Sequence, residues 1–263
     1  MGMKQRRYAV DVQGLAQPIR IAHVSDLHEH AYEEVLAALE KEKPDVILCT
    51  GDMLERHTRN GQRRLKRRKI EKPHHILYWF ISKEGLPDGG MRFFQRCVAI
   101  APTFYSLGNH EKYIQEEDRA RLRQWGVRIV DNSDLEMDWK GRPIRIGGLS
   151  TKADWNWCAA FSRKPGVKIL MVHHPEYVAG RILSDAGIGP LDLILSGHAH
   201  GGQCRLFDWG LFAPGQGLFP PYTRGMRKTN KGHWLISAGL SNTVKLPRFN
   251  NPKELLFVTL MPK

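Results

Sequence analysis

Between Ile19 and Thr50 the chain runs through a short strand, a helix and a second short strand, and this stretch narrows the fold more than any other. IRIAHVS at 19–25 is apolar, β-branched and brief, as a buried strand is. Tyr32 to Leu39 has helical spacing, with Ala37, Ala38 and Leu39 as good helix formers. Pro44 breaks that pattern, and DVILCT at 45–50 reads as another buried strand. Strand, helix and strand within about 30 residues form a βαβ unit and argue for an α/β core.

The rest of the chain continues in that style. Met91 to Ile100 reads as a helix with Phe93, Phe94, Cys97 and Val98 on its apolar side. Thr103–Leu107, Ile144–Gly148, Lys168–Val172 and Leu191–Ser196 read as strands. Three more runs follow, around Trp234–Ser237, Thr243–Leu246 and Leu255–Leu260. No repeat or low-complexity linker divides the 263 residues, so a single domain over 1–263 is expected. Its one change of character is a basic insertion at about 56–90. Arg56 to Lys72 holds nine Lys or Arg and one acid, Glu71, and is expected to be an exposed loop because such charges repel.

Five segments carry the chemistry. Asp26-Leu27-His28, Gly51-Asp52, Gly108-Asn109-His110-Glu111, His173-His174 and Gly197-His198-Ala199-His200 each follow an expected strand directly. Ligands of open α/β sheets gather outside the carboxyl ends of strands. Taken singly the segments say little: Gly-Asp is a common turn, and Asp-x-His or Gly-Asn-His-Glu suits a loop or helix cap. Together they pool carboxylate, amide and imidazole, a donor set for Mn, Fe or Zn. Seven or eight donors are too many for one ion. Two divalent ions about 3.5–4 Å apart fit the count and form a device for phosphate-ester hydrolysis.

In this order the motifs resemble those of the calcineurin-like metallophosphoesterase superfamily. The resemblance implies a four-layer α/β/β/α sandwich of two mixed β-sheets flanked by helices. It also implies two metal ions, with Asp26, His28 and His200 on one, Asn109, His173 and His198 on the other, and Asp52 bridging both. His110 would donate the proton to the leaving oxygen, oriented by Glu111, and metal-bridged hydroxide would attack phosphorus. His174 is left as a substrate-facing or outer candidate. Pro221-Tyr222-Thr223-Arg224-Gly225, Ser237-Ala238-Gly239-Leu240 and Pro247-Arg248-Phe249-Asn250 further resemble a bacterial phosphodiesterase subgroup that includes YaeI and YkuE. Arg248 is a candidate for gripping a substrate phosphate, with a surface charge as its bland reading.

Composition sets the partners. Hydrophobic residues at 41% and charged residues at 25% exclude a disordered tail, a collagen and a coiled coil. Forty Lys and Arg against 27 Asp and Glu give a net charge of +13, so anions are attracted: a phosphorylated substrate, nucleic acid or acidic lipid. A phosphodiesterase is the leading reading. A nucleic-acid-binding protein or nuclease on the same fold, and a lipid-linked nucleotide pyrophosphatase, are the alternatives. Trp209, Leu211, Phe212, Leu218, Phe219 and Tyr222 crowd one Gly- and Pro-rich segment. They are expected to cover a sheet edge as core, with a membrane-facing surface as the alternative. Trp155 and Trp157 line a pocket or simply pack. No apolar run approaches the roughly 18–20 residues of a membrane span, and Met1–Val12 lacks a signal-peptide core, so a cytoplasmic chain is expected.

Overall fold

In a computed structural model of the chain, residues 2–56, 88–241 and 247–263 are described below. The basic run beyond Arg56 and the strand expected at Thr243–Leu246 lie outside them. The first βαβ unit forms as β2 (Ile19–Val24), α1 (Glu33–Glu42) and β3 (Val46–Cys49). It is followed by α2 (Gly89–Cys97), β4 (Thr103–Ser106), α3 (Glu116–Gln124) and β5 (Arg128–Val130). These strands join β1 (Lys4–Val12) and β16 (Glu254–Pro262) in a mixed sheet of order β1-β16-β2-β3-β4-β5.

The second sheet has order β14-β15-β9-β8-β7-β6. Its strands are β6 (Ser133–Trp139), β7 (Arg142–Leu149), β8 (Val167–Val172), β9 (Leu193–Ser196), β14 (Gly225–Thr229) and β15 (Gly232–Ile236). The central strands of each sheet run parallel, so their carboxyl ends share one edge.

Strand alternation builds the layers. Ile19 and Ile21 face the second sheet and pack with Phe104, Ile146, Ile169 and Leu193. Ala22 and Val24 face the other way, against Leu36 and Leu39 of α1 and Phe93 and Phe94 of α2. On the far side, Leu170, Ile194 and Trp234 meet Cys158 and Phe161 of α4 (Trp155–Ser162). The result is the four-layer α/β/β/α sandwich. Each large apolar side chain so buried contributes about 1.5–3 kcal/mol.

Three departures from expectation have physical causes. β1 is a strand although KQRRYAVDV reads as polar, because it lies on an edge and buries only its alternate face, ending in Val10 and Val12. Arg56 is not on an exposed loop: it is buried, with Nη1 at 2.8 Å from Glu29 and Nε at 2.6 Å from Asp118. The apolar segment after residue 205 does not cover a sheet edge as core. Trp209, Leu211, Phe212, Leu218 and Phe219 are exposed, and only Tyr222 packs inward, on Trp234. Trp157 stacks on Phe161, and Trp155 sits against Tyr177. No helix among the described residues is long and apolar enough to cross a membrane.

Candidate metal centre

All five sequence segments meet at the shared carboxyl edge of the two sheets. β2 delivers Asp26 and His28, and β3 delivers Asp52. β4 leads into the helical turn Asn109–Glu111, β8 ends at His173 and His174, and β9 ends just before His198 and His200. Backbone bonds tie these ends together: Asp26 N–H donates to the Gly51 carbonyl, His28 N–H to that of Asp52, and Gly197 N–H to that of His173. Across the sheets, the His198 amide donates to Asp26 Oδ1 at 3.0 Å.

The turns are tight enough to force unusual backbone. Asp26, His28, Asp52, His198 and His200 all have left-handed φ, between 46° and 66°. Such conformations cost on the order of 1–3 kcal/mol each and persist where the surroundings fix them. Two glycines permit the closest approach. A Cβ on Gly51, itself at φ 95°, would stand 2.8 Å from His173 Nδ1, and one on Gly108 would stand 2.2 Å from Asp52 Oδ1.

Among the described residues, four donor groups overlap in the crevice: Asp26, His28 and His200; Asp52, His173 and His198; His28, Asp52 and His110; and His174, Glu176 and His198. Asp52 Oδ2 lies 3.2 Å from His173 Nε2 and 3.7 Å from both His28 Nε2 and His110 Nε2. Asn109 Oδ1 is 3.2 Å from His173 Nε2.

These donors fit divalent cations. His173 Nδ1 is 2.7 Å from the Thr50 carbonyl, so that nitrogen carries the proton and Nε2 presents a lone pair. That lone pair faces two acceptor oxygens, an arrangement only a positive charge relieves. His28 repeats the pattern: Nδ1 contacts Glu55 Oε1 at 2.7 Å, and buried Nε2 has no hydrogen-bond partner. Without metal, protons meet the same demand. Burial alone would lower His173, but the Asp52 carboxylate outweighs it and holds the imidazole up at about 9. His110 is likewise held at about 10, burial being outweighed by Asp52 and Glu55. Burial would raise Asp52, yet His173 and His110 keep it well below the usual carboxylate range. His198 and His200 are pushed down by burial and by neighbouring cationic groups, which favours the neutral form a metal needs.

The remaining candidates lie around this centre. Glu111 is buried and accepts from the amides of Asp52, Leu54 and Gly108 at 2.8–2.9 Å. It braces the backbone, and the carboxylate on the His110 ring is Glu55, 3.0 Å from Nδ1. His174 contacts Thr151 Oγ1 through Nε2 and Glu176 through Nδ1. Arg248 donates to the carbonyls of Ala238 and Ser241, and its Nη2 stands 3.3 Å from His200 Nδ1. Glu55 and Glu176 carry no motif that would single them out. The only signal for Glu55 is its place three residues after Asp52.

Two stacked mixed sheets with Asp, Asn and His pooled at their carboxyl strand ends are the frame of a metallophosphoesterase. The chain belongs to the Calcineurin-like phosphoesterase family, which it matches over residues 19–202. It is 26% identical over 218 residues to the metallophosphoesterase Cj0846 of Campylobacter jejuni, covering 74% of this chain and 47% of that one. The chain thus spans about half the length of that relative. It is 27% identical over 256 residues to the metallophosphoesterase YkuE of Bacillus subtilis, covering 92% of this chain and 78% of the other. It is 22% identical over 262 residues to the phosphodiesterase YaeI of Escherichia coli, covering 94% and 83%. The subgroup suggested by the tail motifs is therefore represented among its relatives.

Proposed function

We propose that the chain hydrolyses phosphate esters, diesters in preference to monoesters, with two divalent cations at the strand-end crevice. The observation that carries this reading is Asp52 Oδ2, which stands within 3.7 Å of His28 and of His173 and so reaches a member of each proposed cation site. Asp26, His28 and His200 would hold one cation; Asn109, His173 and His198 the other; Asp52 both. The donor set suits Mn, Fe or Zn. When bound, such a pair supplies activation of water and charge neutralisation at a phosphoryl group near neutral pH.

The chain's own residues do the rest. The Asn109 amide, beside His173, positions a phosphoryl oxygen. His110 gives a proton to the departing alkoxide from Nε2, a role worth about 10²–10⁴-fold. Glu55 holds the opposite nitrogen and so fixes the ring. His110 is 19% exposed where His198 and His200 are 10% and His28 and His173 at most 1%, so its ring is the most open to substrate of these five. A cavity of about 220 Å³ beside Gly108 and Glu111 is lined by Lys112, Lys152 and an Arg119 that pairs with Asp131 at 2.8 Å, so the two lysines are the cations that meet an anionic substrate there. YaeI is named a phosphodiesterase, which supports the diester.

The test is hydrolysis of bis-p-nitrophenyl phosphate beside p-nitrophenyl phosphate, on stripped protein with Mn²⁺, Zn²⁺ or Fe²⁺ restored. Metal-dependent cleavage, faster on the diester, is expected. A faster monoester would overturn the preference, and no cleavage with any metal would overturn the activity.

A further inference from the structure

Ten large apolar side chains are exposed among the described residues, and eight of them lie at 206–219 or at Phe249. Phe207 is 83% exposed, Trp209 73% and Leu218 74%. Those at 206–219 stand on two short hairpins, β10 (Arg205–Leu206) with β11 (Trp209–Gly210) and β12 (Phe212–Ala213) with β13 (Gly217–Leu218).

The hairpins are braced, not loose. Buried Arg205 donates to the carbonyls of Gly201 and Asp208 and to Thr223 Oγ1. Leu211 N–H reaches the Gly202 carbonyl at 3.1 Å, and Phe219 N–H reaches that of Leu211 at 3.0 Å. Cys204 bridges to Phe249. The apolar display is therefore hooked to the His200–Gly202 turn and holds a fixed place beside the metal crevice. Phe207 and Phe219 have left-handed φ, 54° and 50°, a strained backbone for an aromatic residue. Neither ring gains burial in return.

Charge indicates what covers this face. Residues 205–228 hold four basic side chains against one acid, Asp208; Arg205 is buried, so Arg224, Arg227 and Lys228 are the ones that can face a partner. Asp208 stands 3.5 Å from Arg224. The whole chain carries +13. Trp, Phe and Leu at hairpin tips with basic residues beside them match a lipid interface, where rings and alkyl chains enter the acyl boundary and cations meet headgroup phosphates.

We propose that the 205–219 hairpins and Phe249 dock on an anionic phospholipid bilayer and set the metal crevice at the membrane surface. The inference goes beyond the proposed hydrolysis and does not depend on it, since binding is read without turnover.

The experiment is co-sedimentation of the full chain with phosphatidylcholine vesicles, with or without about 30% phosphatidylglycerol, at about 0.1 and 0.5 M NaCl. Retention by the anionic vesicles, weakened by salt, is expected. The triple variant Phe207→Ser/Trp209→Ser/Leu218→Ser should bind at least about 10-fold more weakly. Its melting temperature and its hydrolysis of a soluble diester should stay as in the wild type. If the triple variant misfolds, Arg227→Gln/Lys228→Gln should weaken binding to the anionic vesicles by removing the cations alone. A wild-type chain that stays in the supernatant with anionic vesicles overturns the proposal, as do folded variants that bind undiminished. A dimer dispersed by the triple variant, with no vesicle binding, assigns the face to a second copy and equally overturns it.

Discussion

Gly108 stands so close to Asp52 that a Cβ on it would come within 2.2 Å of Asp52 Oδ1 and 2.6 Å of the Asp52 amide. The two loops meet backbone to carboxylate. Gly108→Ala must move the carboxylate or part the loops. A loss of about 1–3 kcal/mol is expected in urea unfolding, together with a fall in bound metal measured by elemental analysis. Unchanged stability with full metal content would contradict the packing described.

Asp52 Oδ2 lies within 3.7 Å of His28 and of His173, a member of each proposed cation site. Asp52→Asn keeps the shape but removes the charge. At least one metal equivalent per chain should be lost, and hydrolysis with it. Two full equivalents in the variant would reject the bridging role.

His110 and Glu55 should separate binding from proton transfer. His110→Ala leaves every donor of the two proposed cation sites in place, so metal content is expected to hold while turnover falls about 10²–10⁴-fold. Glu55→Gln removes the carboxylate at Nδ1 of both His110 and His28. It is expected to weaken metal affinity about 10–100-fold as well as turnover. Normal turnover in His110→Ala would remove it from the mechanism.

His23 faces the space between the sheets, with Nε2 at 2.8 Å from Thr50 Oγ1 and no partner on Nδ1. Burial pushes its pKa down to about 3 from the ordinary 6.5. The unfolded chain then binds a proton that the folded chain refuses. Stability from this site is complete above pH 6.5 and is lost as the pH falls from there toward 3. The loss is about 1.4 kcal/mol per pH unit. His23→Gln cannot take that proton, so its stability should fall less steeply than wild type between about pH 6.5 and 4 in paired urea titrations. Parallel curves would show that the ring is protonated in the fold.

The candidate metal donors are legible because each sits within four residues of a strand end, so local order in the sequence carries their spatial convergence. Strands with short apolar runs, such as Val46–Cys49 and Leu193–Ser196, are legible for the same reason. What stayed hidden depends on distant partners. Lys4–Val12 is a strand because Glu254–Pro262 pairs with it. Arg56 is buried because Glu29 and Asp118 come from other loops. Glu55 gains a role only when His28 and His110 fold onto it. The hairpins after Arg205 are apolar in composition, yet nothing local says whether Trp209 or Leu218 turns in or out.

The place of β16 between β1 and β2 has a consequence for synthesis. During translation, β2 to β5 can assemble as they emerge, but β2 keeps one open edge until Glu254–Pro262 leaves the ribosome. At ordinary elongation rates that interval is on the order of ten seconds or more. An unpaired strand edge of that duration is a template for misassociation, so the nascent chain rather than the finished fold is where this topology exposes that edge.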